Sequence, residues 1–411
     1  MKICNVIYSY SPYNCGGADI YAENISKYFA KIGHESIVIT TKPYSGIISL
    51  KPSIEYVNGI KVYRFYPFNI YFIQNNNQKN FLEKAIWSSI DTWNLHTYKV
   101  IKNILAREKP DVVHLHTPIS FSFSVFNAAK GLNIPLILTL HDYFLLCKRC
   151  FLLHGNGKIC SNPNPICKLY RNISKRIVDS KPDVVISPSK FALDIHTKEG
   201  LFKKSKKIVL PNGIEVPEEP IPKIKKEFID IFYIGTILQH KGIIILIEAF
   251  KKIESGKLRL HIAGTGPLLN QLKELSGDDN RITFYGFVSD KHKENLFNLA
   301  DIFVLPSIWY ENFPVSIQEA FCCSTPVIGS SIGGIPELIQ DGYNGFLFEP
   351  GNIEELKNIF ENLANEPIKL KKMGKNAFES VKEFDMKKHT EKLEEVYEDA
   401  IKKNGKLKRI C

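Results

Sequence analysis

"KPDVVHLH" at residues 109–116 and "KPDVVISPS" at 181–189 are one phrase written twice, and "ADIFVLPS" at 300–307 is a looser third copy. Each reads as a helix end, an acidic residue, a short buried apolar run and then polar groups, namely His116, Ser189 and Ser307. Continuous apolar runs of this length suit strands buried on both faces of a parallel sheet. In open α/β sheets ligands bind at the carboxyl ends of the strands, so the three endings predict a shared ligand-binding cleft.

Outward from these phrases the same alternation continues. "KICNVIYSY" (2–10) reads as a strand and "GGADIYAENISKYFAKIGH" (16–34) as a helix with Ile20, Ile25, Tyr28, Phe29 and Ile32 at helical spacing. "ESIVITT" (35–41) is the next strand, which completes a βαβ opening. Strand and helix give way at "PNGIEVPEEPIPKIKKE" (211–227), where prolines and charges predict a linker. The alternation restarts with "DIFYIGT" (230–236), "GIIILIEAFKKI" (242–253), "LRLHIAGTG" (258–266), "LLNQLKELS" (268–276), "ITFYGFV" (282–288) and "TPVIGSS" (325–331). The predicted class is α/β with two doubly wound halves, residues 1–210 and 229–385, joined by a linker at 211–228. A last helix and basic tail, 386–411, is expected to pack back on the first half.

Composition narrows the function classes. Of 411 residues, 44% are hydrophobic and 24% charged, as in folded globular chains. No apolar run reaches the length of a membrane span or of a signal peptide, which predicts a cytoplasmic protein. Nine cysteines without an export signal argue against a secreted disulfide scaffold. The net charge of +11 falls partly in "KKSKK" (203–207), "KIKK" (223–226) and "KKNGKLKR" (402–409). Such runs are solvated surface or face anionic lipid at the inner side of a membrane, and no nucleic-acid module accompanies them.

Several turns suit a diphosphate. Gly16 and Gly17 stand between a strand and a helix start, where a ligand meets bare backbone and the positive end of a helix dipole. "IGTILQHKG" (234–242) follows a strand and carries Lys241, a point charge for phosphate. "AGTGP" (263–267) repeats the design. In "YENFPVSIQEA" (310–320), Pro314 predicts a helix start, leaving Glu311 in the loop and Glu319 on the helix. Taken alone, these residues equally describe ligand-free turns, a surface lysine, a solvent-facing Glu311 and a salt-bridged Glu319.

As a set, Glu311 and Glu319 with seven residues between them, "TPVIGSSIGGIPELIQDGYNGFLFEPGN" (325–352), "PNGI" (211–214), the "HKG" loop, "LHTPIS" and "TLHD" (139–142) closely resemble the family 4 glycosyltransferases. The resemblance covers nearly the whole chain. It implies a GT-B fold, with two Rossmann-like domains facing a cleft, and retaining transfer from a nucleotide-diphosphate sugar without metal or other cofactor. The donor it implies is a UDP- or GDP-sugar, the acceptor a glycan or lipid-linked molecule, and the setting polysaccharide or glycolipid synthesis. Carried over, His141 contacts the donor sugar, Lys241 meets the leaving diphosphate and Glu311 lies beside the transferred sugar. Gly16, Gly17, Gly235, Gly264, Asn312, Phe313 and Val315 contribute to the donor site, Phe287 and Val288 accommodate the base, and Glu319 holds the ribose. Thr236 departs from the arginine that follows the glycine in many members, and Pro314 replaces a frequent glycine. An epimerase of the same fold and a non-catalytic relative are the alternatives.

One segment is unaccounted for by the resemblance. "CKRCFLLHGNGKICSNPNPIC" (147–167) places Cys147, Cys150, Cys160 and Cys167 at a spacing open to packed thiols, disulfides or a four-thiolate zinc site.

Overall fold

The computed structural model describes residues 1–13, 16–155, 157–220, 223 and 226–408. They form two compact units: Met1–Phe151 with Ser161–Pro211 and His389–Cys411, and Leu152–Cys160 with Asn212–Lys388. Four linker residues (Ile221, Pro222, Ile224 and Lys225) and Arg409 of the basic tail lie outside the described residues.

The first unit is built on strands β1 (Lys2–Val6), β2 (Glu35–Thr41), β3 (Ser53–Val57), β4 (Ile60–Phe65), β5 (Val112–Leu115), β6 (Leu136–Thr139), β7 (Val184–Ser187) and β8 (Lys206–Val209). Their order is β3-β4-β2-β1-β5-β6-β7-β8. All neighbours are parallel except the β3–β4 hairpin, which turns at Asn58-Gly59 with both residues at positive φ. The second unit holds β9 (Ile229–Ile234), β10 (Leu258–Ala263), β11 (Ile282–Gly286), β12 (Ile302–Leu305), β13 (Val327–Ser330) and β14 (Gly345–Phe348). Here the order is β11-β10-β9-β12-β13-β14, parallel throughout.

The repeated "PDVV" phrase has a structural reason. The Asp111 amide donates to the Lys2 carbonyl at 2.9 Å, and the Asp111 carboxylate accepts the Lys2 amide at 2.7 Å. Asp183 treats Leu136 in the same way, and Asp301 does so to Asp230. In each case the acidic residue at the start of one strand closes the first backbone pair with its neighbour, satisfying groups that the sheet edge would otherwise leave open.

Two expectations change on contact with the structure. The first helix, Gly17–Lys31, buries Asp19, Tyr21, Ala22, Glu23, Ile25, Ser26 and Phe29, whereas Ile20 and Ile32 are 46% and 44% exposed. Ile25 and Phe29 lie on the buried face, and Tyr21 and Ser26 join it with buried polar partners. Lys223 and Lys226 of the "KIKK" run are also not free surface charges. The Lys223 ammonium donates to the carbonyls of Phe297 (3.0 Å) and Ala300 (2.8 Å) and to the Thr325 hydroxyl (2.7 Å). It thereby caps the last turn of the helix Asp290–Leu299. Lys226 is ion-paired with Asp230 and Asp301. Among the described residues no helix is long and apolar enough to cross a membrane.

Candidate active site

In the second unit the chemistry gathers at the carboxyl ends of β9 and β12. After β9 the chain makes a 3-10 turn over Gln239–Lys241 and reaches Gly242 at φ 71°. A Cβ there would stand 1.7 Å from the Pro306 carbonyl oxygen, so only glycine lets the lysine turn seat against the end of β12. The Ile308 amide donates to the His240 carbonyl at 2.9 Å and ties the two loops together.

Lys241 is thereby aimed at Glu311, with Nζ 2.8 Å from Oε1. The same oxygen accepts from Ser307 Oγ at 2.7 Å and from Trp309 Nε1 at 2.8 Å. Burial pushes the Glu311 carboxyl upward, but Lys241 and the two further donors outweigh it and hold the group below its ordinary value. Lys241 Nζ also lies 4.8 Å from the centre of the Trp309 ring. Gly333, at φ 65°, supports the Glu311 backbone from below. A Cβ there would meet the Glu311 carbonyl oxygen at 2.4 Å, and the Gly334 amide donates to that carbonyl at 2.8 Å.

Pro314 precedes the helix Val315–Cys322, so Glu311 lies in the loop and Glu319 on the helix. Glu319 Oε1 pairs with Lys293 Nζ at 2.8 Å. Phe313 is 7% exposed in the core and packs on Phe384, which leaves its backbone for any ligand. Asn312 is likewise buried, while Phe287 is 83% exposed. Gly264, at φ 130°, lies where a Cβ would meet the Gly235 carbonyl oxygen at 1.9 Å. Close packing of two turns therefore already demands glycine there.

In the first unit a second cluster lies on β1, β5 and β6. Asn5 and His114 are paired across β1 and β5, and His116 continues β5, its amide donating to the Val6 carbonyl. His141 follows β6. His116 Nδ1 is 3.2 Å from His141 Nε2 and His116 Nε2 is 3.2 Å from Asn5 Oδ1. His114 bridges Tyr397 and Thr139 at 2.6 Å each, and Tyr21 pairs with His389 at 2.8 Å. The last helix, Met386–Lys408, thus supplies His389 and Tyr397 to this cluster. Burial depresses all four imidazoles, His141 to about 3 and His389 to about 4. They are neutral at pH 7.

Gly16 caps the first helix and Gly17 begins it. The Gly16 amide donates to Asp19 Oδ2 at 3.2 Å, so a carboxylate shares the helix start expected for phosphate. Ser189 accepts from the Ala192 amide at 3.2 Å and is a helix cap, whereas His116 and Ser307 stand within the two clusters. Among the described residues no group of three or more His, Cys, Asp or Glu is arranged to hold a metal, and Cys147, Cys150 and Cys167 are free thiols. Burial pushes the Cys150 thiol well up.

Sequence reasoning missed Ser307 as a partner of Glu311, noted Gly333 only within the 325–352 motif, and missed Trp309, Lys293 and Asn5 altogether. Only the glycine pair 333–334 carries a local signal, since the others act through side chains brought together by the fold.

Comparison with known proteins covers both units. The family model for Glycosyltransferase Family 4 matches residues 15–217, and that for Glycosyl transferases group 1 matches residues 217–380. A 42.6 kDa protein of the cps region of Klebsiella pneumoniae is 27% identical over 87% of this chain and 92% of its own length. N-acetyl-alpha-D-glucosaminyl L-malate synthase of Bacillus anthracis is 26% identical over 95% of this chain and 97% of its own. The structure of Anabaena Alr3699/HepE in complex with UDP superposes with a TM-score of 0.72 at 20% identity, over 97% of this chain and all of that one.

Proposed function

The chain therefore belongs to the family 4 glycosyltransferases of GT-B fold, and we propose that it transfers a sugar, with retention of configuration, from a UDP- or GDP-sugar to a glycan or lipid-linked acceptor. The observation that carries this reading is the Lys241–Glu311 pair, fixed by Ser307 and Trp309 at the strand ends of the second unit. A cation held beside a buried carboxylate is ready to meet negative charge that grows on a leaving diphosphate. In the step proposed, the bond from the anomeric carbon to the phosphate oxygen breaks. The acceptor oxygen bonds to the same face of that carbon, and the acceptor proton passes to the leaving phosphate. Glu311 is assigned to orient the sugar, its Oε1 held by three hydrogen-bond donors.

Glu319 is assigned to the ribose hydroxyls, with Lys293 holding the carboxylate in place. Gly16, Gly17, Gly235, Gly264, Asn312, Phe313 and Val315 are assigned to the donor through their backbones, Phe287 and Val288 to the base, and His141 to the sugar. The complexes of HepE with UDP and with UDP-glucose favour a uridine donor, and the cps relative favours a role in cell-surface polysaccharide. Metal independence and peripheral contact with an anionic membrane through the 203–207 run are part of the same reading.

The test is a transfer reaction with UDP- and GDP-sugars and an extract of lipid-linked and free glycans, followed by NMR of the product. An α-linked donor should give an α-linked product together with free nucleoside diphosphate. A β-linked product rejects retention, and failure to consume any donor rejects the assignment of donor class.

A further inference from the structure

We infer that Ser26, Asn5 and His116 form a positioning relay that keeps the proton of His141 on Nε2 and leaves Nδ1 a bare acceptor, so that this ring selects a donor sugar presenting a hydroxyl group to it. The inference rests on the assignment of His141 to the sugar, and it adds the residues that set the state of that ring and the chemistry it accepts.

The proton positions follow from one end of the chain of contacts. Ser26 Oγ lies 2.6 Å from the Ala22 carbonyl, which can only accept, so the single hydroxyl proton of Ser26 points there. Ser26 Oγ is therefore the acceptor in its 3.0 Å contact with Asn5 Nδ2. That fixes the Asn5 amide with Oδ1 toward His116 Nε2, 3.2 Å away, and an amide oxygen again only accepts. His116 thus carries its proton on Nε2. Burial lowers the pKa of His116 well below the usual imidazole range, so the ring is neutral and Nδ1 bears a lone pair. The 3.2 Å contact between His116 Nδ1 and His141 Nε2 then needs a proton on His141 Nε2. His141 is neutral as well, which leaves Nδ1 without a proton.

The surroundings hold the rings in this order. His116 lies between His114, at 4.1 Å between ring centres, and His141, at 5.5 Å. Tyr21 packs against both His116 and His141. A neutral acceptor at His141 Nδ1 receives a hydrogen bond from a sugar hydroxyl. It offers nothing to a carboxylate or to a phosphate oxygen, and burying such an acceptor beside it is unfavourable.

The test is nitrogen-15 NMR of histidine-labelled full-length protein at pH 7.5, with no ligand. His196 is an internal standard of the opposite kind, because its Nδ1 lies 2.7 Å from the Ala192 carbonyl and must carry the proton. Wild type should show His196 protonated on Nδ1 and His141 protonated on Nε2, each as a single tautomer. Ser26→Ala frees the Asn5 amide to turn over, and Asn5→Leu removes it, so in both variants the other His141 tautomer should rise from undetectable to a clear fraction. An unchanged His196 signal certifies that the unit is folded. A wild-type His141 protonated on Nδ1 overturns the relay, as does a tautomer unaltered in both folded variants. Full turnover by His141→Ala instead overturns the assignment of His141 to the sugar, while the tautomer result stands separately.

Discussion

Replacing Lys241 with Ala probes stability and catalysis through one contact. Glu311 keeps 8% of its side chain exposed and Lys241 keeps 22%. Removing one partner of a buried ion pair costs about 3–5 kcal/mol. Ser307 and Trp309 still donate to the carboxylate and the lysine end is partly solvated, so a loss of about 2–3 kcal/mol at pH 7.5 is expected. The pH dependence carries a sign. In wild type the folded pKa of Glu311 is lowered, so the group contributes stability above its unfolded pKa of about 4.3, and that contribution is lost as pH falls through the folded value. In Lys241→Ala burial faces only two neutral donors, and the folded pKa moves above the unfolded one. The deficit is then full at pH 7.5 and shrinks toward about pH 5 as the carboxyl takes up a proton. Urea unfolding of wild type, Lys241→Ala and Lys241→Ala/Glu311→Gln at both pH values reads this directly. The double variant should recover part of the loss at pH 7.5. An equal deficit at both pH values, with no recovery in the double variant, refutes the electrostatic account of the pair. Turnover of Lys241→Ala should fall about a hundredfold, equivalent to roughly 2.7 kcal/mol of transition-state stabilisation.

Further expectations concern neighbouring features. Gly333→Ala places a methyl against the Glu311 backbone at a positive φ, and a loss of about 2 kcal/mol or more with reduced turnover should appear in melting and kinetic assays; normal values would show that the loop yields. His114, His116, His141, His196 and His389 all have depressed pKa values, so the first unit holds stability above about pH 6.5 that is lost on acidification, by up to about 1.4 kcal/mol per pH unit for each ring. Hydrogen exchange at pH 7 and 5 should show the strands around His114 losing protection, and unchanged protection would mean the folded rings take up protons as readily as the unfolded ones. Prolonged treatment with a chelator should leave turnover unchanged, and loss restored by zinc or magnesium would reject metal independence.

What the sequence disclosed and what it withheld follow from how local each signal is. Strands β1, β2, β5, β7 and β9 to β13 were legible because buried parallel strands are largely apolar runs, as in "DVVHLH" and "DIFVLP", whereas β6, β8 and β14 went unread. The hairpin β3–β4 went unread although its Asn58-Gly59 turn is a local signal of the strongest kind. The loop position of Glu311 and the helical position of Glu319 followed from Pro314 alone. Their partners did not, because Lys241 is 70 residues from Glu311 and Lys293 is 26 from Glu319. Nothing near Asn5 or Ser26 marks them as neighbours of His116, since only the register of β1 against β5 and the phase of the first helix bring them there. The lysine clusters misled at Lys223, which serves a helix end and not the surface.

Calorimetric titration of the full chain with UDP, GDP and ADP, with Glu319→Ala alongside, is the most direct test of a sugar-nucleotide donor held by the second unit. One nucleotide should bind at micromolar concentration, and Glu319→Ala should weaken it at least tenfold, about 1.4 kcal/mol. Absence of binding to any of the three by a well-folded sample, or identical affinity in the variant, would contradict the donor site described for this chain.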